Sequence, residues 1–287
     1  MSFWIEQTFA GLSYGGLLFL LASGLSLIFG VMRIINMAHG SYFILGAYIG
    51  VTVVEVTGSW LLALLLASLA VAILGIFMQR YFLRVLGHGV AAELPQVMIT
   101  VGFLFIIQQA SIDIWGGDPM IVKVPSYLDW SMEIGGIFFP VYRIFMLAVA
   151  CVMAVALWLG LEKTRAGAMV RASVDDSEMT RGLGINTERL SMAIFGLGAF
   201  LAGLGGVIGG GFIGVYPGLD FQILPLAFAV VIIGGLGTLR GAALGSLIVG
   251  LMDTFGKALF PELSYFTLFA PMAIVLAIKP TGLFGRA

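Results

Sequence analysis

Runs of about twenty apolar residues recur along the whole chain, separated by short stretches that hold most of the charge. A transmembrane helix needs about 20 such residues to cross the hydrocarbon core of a bilayer. Nine candidates are bounded by charges and Gly/Pro clusters: 9–31, 41–57, 59–79, 96–115, 139–161, 191–213, 222–238, 242–260 and 264–279. The scarcity of charge supports the same conclusion. Only 10% of the 287 residues are charged and mean hydropathy is +1.09, whereas a soluble domain carries about 25% charged residues. Fourteen Lys and Arg cannot cover a soluble surface of this size, so the outside must face lipid. A membrane β-barrel would show short alternating segments rather than long runs. The expected fold is all-α, a polytopic transmembrane helix bundle of eight or nine spans forming a single domain over 1–287.

Two of the runs are irregular. The run 41–57 holds Glu55 near one end, and 222–238 begins after Pro217 and Asp220 and contains Pro225. Both are candidates for discontinuous or re-entrant helices. With nine crossings, one side collects eleven of the fourteen basic residues, at Arg33, Arg80, Arg84, 163–189, Arg240, Lys279 and Arg286. The other side has Lys123, Arg143 and Lys257, with Glu6, Asp118, Asp129, Glu133, Asp220 and Glu262. Basic loops stay cytoplasmic. The N-terminus is therefore expected outside and the C-terminus inside. Met1 to Ala10 has no basic residue, so it lacks the n-region of a cleavable signal and the first run is expected to be retained.

Several functions are disfavoured. Net charge is −1, which argues against nucleic acid as a partner. His39 and His88 are the only histidines and lack companion ligands, so no metal site is expected. Gly256-Lys257 is followed by Ala258 without the earlier glycine of a P-loop, so the chain itself is not expected to bind ATP. No Gly-x-Ser-x-Gly or His-Glu-x-x-His pattern occurs, and enzyme chemistry is not expected. Cys151 lies in an apolar run and is expected to be a small buried residue.

Four groups of residues could carry function. Gly198, Ala202, Gly206, Gly210 and Gly214 recur every four positions, as do Gly237, Gly241 and Gly245. Such stripes let helices approach closely and could let them slide. Asn36, His39 and Ser41 fall in a polar break between two runs. They either cap a helix in a cytoplasmic turn or line a solute pathway, since polar groups at membrane depth must face protein or a water-filled cavity. Gln108, Gln109 and Gln222 either bond between helices or line the same pathway. Asp253 and Lys257 are spaced to pair on one helix face, as a structural ion pair or as the ion relay of a secondary transporter.

The longest polar stretch is 163–190, with five basic and four acidic residues and a short helix expected from about Ala168 to Arg181, ended by Gly182 and Gly184. Its Arg171-Ala172, Asp175-Asp176, Glu178, Arg181 and Gly184-Ile185 resemble the cytoplasmic coupling loop of ABC importer permeases. The rest of the chain extends that likeness. Gly24 to Gly40 (Gly-Leu-Ser-Leu-Ile-Phe-Gly-Val-Met-Arg-Ile-Ile-Asn-Met-Ala-His-Gly), Gly46-Ala47-Tyr48 and Gly234 to Gly245 (Gly-Gly-Leu-Gly-Thr-Leu-Arg-Gly-Ala-Ala-Leu-Gly) stand in family order. So does Lys279 to Arg286, where the family commonly has Arg before the proline. Over essentially its whole length the chain resembles the branched-chain amino acid permease family, in its shorter type.

The resemblance implies a permease subunit of an ABC importer for amino acids, or for urea, short amides or small organic acids. It implies a bacterial cytoplasmic membrane, a second permease subunit (identical or different) and two ATP-binding subunits docked at 163–190 that hold ATP and magnesium. An external solute-binding protein is expected at the outer loop 116–138, where aromatic anchoring is the plainer role of Trp115, Tyr127 and Trp130. An ion-coupled secondary transporter is the rival.

Overall fold

The computed structural model describes residues 2–87 and 90–285; His88 and Arg286 lie outside them. The helices are α1 (Ser2–Met32), α2 (His39–Thr57), α3 (Trp60–Met78), α4 (Val90–Trp115), α5 (Val141–Lys163), α6 (Arg165–Asp175), α7 (Ser177–Gly182), α8 (Thr187–Phe212), α9 (Leu219–Gly234), α10 (Leu239–Leu259) and α11 (Ser264–Ile278). Seven stretches are long and apolar enough to cross a membrane, and Leu219–Gly234 and Phe269–Ile278 are shorter apolar helices. An all-α bundle with nine apolar helices is what the hydropathy predicts. Boundaries follow local chemistry. Gly58 closes α2 with φ +67, and the Ser59 hydroxyl caps α3 by accepting from the Leu62 N–H at 3.4 Å.

Paired contacts fix the helix directions. Gly24 of α1 faces Gly198 of α8 while Gly209 of α8 faces Leu17, so these two run antiparallel. Gly46 faces Gly203 and Gly50 faces Val207, so α2 runs parallel to α8. Gly234 of α9 lies against Gly241 of α10. Residue 2 and residue 285 consequently lie at opposite ends of the bundle. We call the end where α1 finishes the base. Helices α1 and α8 are the most buried of the long helices and α5 the least.

The contacts between them are nearly backbone to backbone. A Cβ on Gly46 would lie 2.5 Å from the Gly203 oxygen, and one on Gly24 would lie 2.6 Å from the Gly198 oxygen. With lipid as apolar as leucine, such close van der Waals packing is what holds helices together in a bilayer. Gly198, Ala202, Gly206 and Gly210 are all buried along α8. Gly214 is not on that stripe: α8 ends at Phe212, and Gly214 turns with φ +77. Gly241 and Gly245 lie on α10, but Gly237 sits in the turn before it.

One other expectation needs correction. Cys151 is exposed, on the outward side of α5, rather than buried. In a helix apolar on all sides, hydrophobicity does not say which face turns inward. The loop 116–138 is also more ordered than a simple connection. It carries a hairpin of β1 (Ser131–Ile134) and β2 (Ile137–Pro140), closed by Gly135-Gly136 with φ +62 and +78, the two-residue turn that positive φ at both positions favours. Met120 pairs with Val215, and the Val122 N–H donates to the Gly210 carbonyl at 3.1 Å, so the loop seals the end of α8 away from the base.

Candidate functional site

The polar break between α1 and α2 does not stay at the base. From Arg33, whose φ of +54 turns the chain back, residues 34–38 climb inside the bundle. His39 donates from Nε2 to the Leu21 carbonyl at 2.9 Å. Leu21 lies about eleven residues, roughly 16 Å of helix, before the end of α1. The break is tied sideways by the Met37 N–H, which donates to Thr100 Oγ1 of α4 at 3.1 Å. The Asn36 carboxamide oxygen accepts from the Ala38 N–H at 3.1 Å and so turns the chain into α2.

Helix α9 re-enters from the opposite direction. The chain leaves α8, pairs with the sealing loop at Val215, and turns at Gly218 with φ +93. Asp220 then comes to lie against Gly40, and its carboxylate accepts from Ser41 Oγ at 2.9 Å. Two half-helices thus meet N-terminus to N-terminus inside the bundle. Runs 41–57 and 222–238 are expected to be discontinuous or re-entrant; both helices begin inside the bundle after a non-helical stretch and run to opposite ends, so they are discontinuous. Asp220, however, was expected in the outer loop with the other acids, and it is fully buried.

Asn36, His39, Ser41 and Asp220 are all fully buried. Their hydrogen bonding is incomplete: His39 Nδ1, Asp220 Oδ1 and the Tyr48 hydroxyl, two turns along α2 from Ser41, have no partner. A buried polar group left unpaired costs roughly 1–3 kcal/mol, which makes this region the candidate site. Sequence reading missed Tyr48 and the depth of Asp220. Tyr48 follows Ser41 by seven residues, two helical turns on the same face, which is a signal only once Ser41 is known to face Asp220.

The other singled-out polar residues lie elsewhere. Gln109 is exposed and donates to Asp113 on its own helix at 2.8 Å, while Gln108 is half-buried. Gln222 is exposed and accepts from the Tyr216 hydroxyl at 2.9 Å. Lys257 Nζ pairs with Asp253 at 2.7 Å, one helical turn apart, with the lysine largely exposed. We expect Asp253→Asn with Lys257→Gln to leave uptake within about two-fold of wild type, because a pair of this kind is worth little. Membrane-vesicle uptake checks this, and a complete loss would restore the pair as a relay.

At the base, α6 and α7 form one unit. They are two helices rather than the single one expected over 168–181. The break is at Asp176, whose carboxylate accepts from the Glu178 N–H at 3.0 Å and the Met179 N–H at 2.9 Å and starts α7 afresh. Arg171 donates to the Leu161 carbonyl and lies 3.8 Å from Glu162, fixing α6 to the end of α5. Ala172 is half-buried and Asp175 ends α6. Glu178 is exposed in the first turn of α7, and Arg181 Nε donates to Thr187 Oγ1 of α8 at 2.8 Å. Gly184 turns with φ +82, and the Ile185 N–H returns to the Thr180 carbonyl. A cavity of about 890 Å³ opens between α6, the end of α1 and the turn before α10, with Arg33, Arg171, Arg240, Glu162 and Asp175 in its wall.

A sequence profile described as the permease component of branched-chain amino acid transport systems matches residues 7–276. The chain belongs to that family. It is 29% identical to the high-affinity branched-chain amino acid transport system permease protein BraD of Pseudomonas aeruginosa, over 99% of this chain and 96% of that protein. It is 27% identical to the corresponding permease LivH of Escherichia coli K12, over the same shares. The autoinducer 2 import system permease LsrC of Salmonella paratyphi B is 30% identical over 66% of this chain and 54% of its own length. Among solved structures, PsaBC from Streptococcus pneumoniae in complex with Fab shares the fold at a TM-score of 0.50 and 11% identity, covering 96% of this chain and 92% of that one. The protein is therefore a multi-pass membrane transport subunit, and not an enzyme.

Proposed function

We propose that this chain is a permease subunit of an ABC importer that carries branched-chain or other amino acids across the bacterial cytoplasmic membrane. The observation that carries the reading is the meeting of α2 and α9. Discontinuous helices with polar N-terminal ends inside a bundle are how transporters build a solute path. The near full-length likeness to BraD and LivH supports amino acids as the cargo.

The base faces the cytoplasm in this reading, because ten of the thirteen basic residues among those described belong to segments at that end. Residue 2 is then outside and the C-terminal segment inside. Two ATP-binding subunits, which hold the ATP and magnesium, dock on α6 and α7. The other end, with the loop 116–138, receives an external solute-binding protein. A second permease subunit completes the pathway. ATP-driven movement reaches the bundle because Arg171 ties α6 to α5 and Arg181 ties α7 to α8. The glycine seams let those helices shift without side chains to clear.

The test reverses charge on α6. Vesicles with the co-expressed system are expected to lose about ten-fold or more of their uptake in the variant Arg171→Glu with Asp175→Lys, since opposed charges at an interface cost several kcal/mol. The ATP-binding subunits should wash off the same membranes. Unchanged uptake with unchanged retention would sink the docking assignment.

A further inference from the structure

The unpaired oxygen of Asp220 narrows the class of solute, resting on the importer reading above. One carboxylate oxygen accepts from Ser41 Oγ at 2.9 Å, and the other, Oδ1, has no partner. Among the described residues the ion pairs are Arg84–Glu188, Arg171–Glu162 and Lys257–Asp253, and none reaches Asp220. The side chain is fully buried. A carboxylate with no cation beside it in such a place costs several kcal/mol, and ionisable groups inside a membrane bundle mark transport paths. The N–H groups of Asp220 and Phe221 at the start of α9 lie beside the carboxylate and offset part of that cost. The rest calls for a visiting cation.

Tyr48 supplies the second half. Its hydroxyl is buried without a partner, two turns along the face of α2 that carries Ser41. Its ring is held by stacking on Trp115, with centroids 5.2 Å apart and planes at 20°. Trp115 is itself fixed by donating from Nε1 to Thr52 Oγ1 at 2.7 Å. A carboxylate oxygen and a phenol oxygen are both acceptors for an ammonium group. Gly40, one residue before Ser41 on α2, lets α9 come this close: a Cβ there would lie 3.0 Å from the Asp220 carbonyl oxygen and from Leu224 Cβ. We propose that Asp220 Oδ1 and the Tyr48 hydroxyl receive the ammonium group of the transported solute as α2 and α9 part. The cargo is then an amine-bearing zwitterion. Urea and short amides carry no charge to satisfy the carboxylate, and an organic acid anion is repelled by it.

Four variants of the whole importer, assayed for leucine uptake in proteoliposomes with excess binding protein, test this. Asp220→Asn keeps the shape and an acceptor for Ser41 but removes the charge. Its uptake is expected to fall about ten-fold or more, as when one member of a buried charge pair is lost. Asp220→Glu should recover most of it, and Ser41→Ala should lower uptake less than Asp220→Asn does. Tyr48→Phe keeps the stack on Trp115 and should lower uptake several-fold. It decides the matter if Asp220→Asn fails to assemble. Wild-type rates in Asp220→Asn, or in an assembled Tyr48→Phe where Asp220→Asn cannot be made, overturn the proposal. Normal uptake in Asp220→Asn with loss in Ser41→Ala overturns it in favour of a mere latch. Dependence on sodium, tested by replacement with N-methylglucamine, would assign the site to a metal cation. Loss of uptake on collapsing the proton gradient at constant ATP would assign it to a proton. Either result overturns the ammonium assignment. Failure of the importer reading itself would show separately, as wild-type uptake that is indifferent to ATP.

Discussion

Gly206→Leu is expected to abolish both folded protein and uptake. A Cβ on Gly206 collides with the Phe43 carbonyl oxygen of α2 and stands 2.9 Å from its carbon and 3.0 Å from the Ala47 nitrogen. These are backbone atoms of a helix and cannot rotate aside, so α2 must move as a body. That displacement would drag Ser41 from Asp220. Overpacking a tight core costs about 1–3 kcal/mol for small additions, and a native protein has only about 5–15 kcal/mol in total. Alanine alone should cost about 3 kcal/mol, and leucine should exceed what the fold can absorb. The neighbouring Gly205 is the control. Its nearest foreign atom would be Leu20 Cβ at 3.5 Å, so Gly205→Ala should behave like wild type. Thermal unfolding in detergent, with uptake in vesicles, reads both.

Gly237→Val is expected to give the second largest loss, for a different reason. Gly237 turns the chain between α9 and α10 at φ +77, where a Cβ would also meet Gly30 Cα at 2.8 Å. A residue with a Cβ pays about 1–2 kcal/mol for that backbone region, and the contact with α1 adds roughly 1–3 kcal/mol. The turn is shared property. The Leu283 and Phe284 N–H groups donate to the Ile233 and Gly234 carbonyls at 2.9 Å each, so straining it also loosens the C-terminal segment from α9. We expect a loss of about 2–5 kcal/mol, read as a lower unfolding temperature, with Gly237→Ala intermediate.

The bundle was legible because its signal is additive: each apolar run is long, and charge separates most of them. Pro225, Asp220 and Glu55 were enough to mark the two irregular helices. Depth was not legible. Whether Asn36 and His39 sit in a turn at the base or inside the protein depends on where the chain goes after Arg33, and that is set by contacts with Leu21 and Thr100. Asp220 read as a loop acid for the same reason, since a charge beside an apolar run ordinarily marks its outer end. Helix faces were equally hidden. Cys151 was misplaced because lipid and protein interior are both apolar, so a residue's chemistry cannot say which one it touches. The split at Asp176 could have been read, since an Asp followed by Ser-Glu-Met-Thr is a helix start; the expectation of one helix overran it.

The outward cysteine on α5 makes the assembly countable. Cys151 is the sole thiol of the chain, so a nitroxide attached there needs no background mutagenesis and marks each copy once. A purified complex built on two copies of this subunit carries two spins in fixed relation, and pulsed dipolar spectroscopy returns a distance. A complex that pairs this subunit with a different permease carries one from this chain. Blocking or replacing the partner's own cysteines then leaves an undiluted single-spin decay. The side chain that sequence reading put in the wrong place therefore offers a direct way to learn how many of these chains share one pathway.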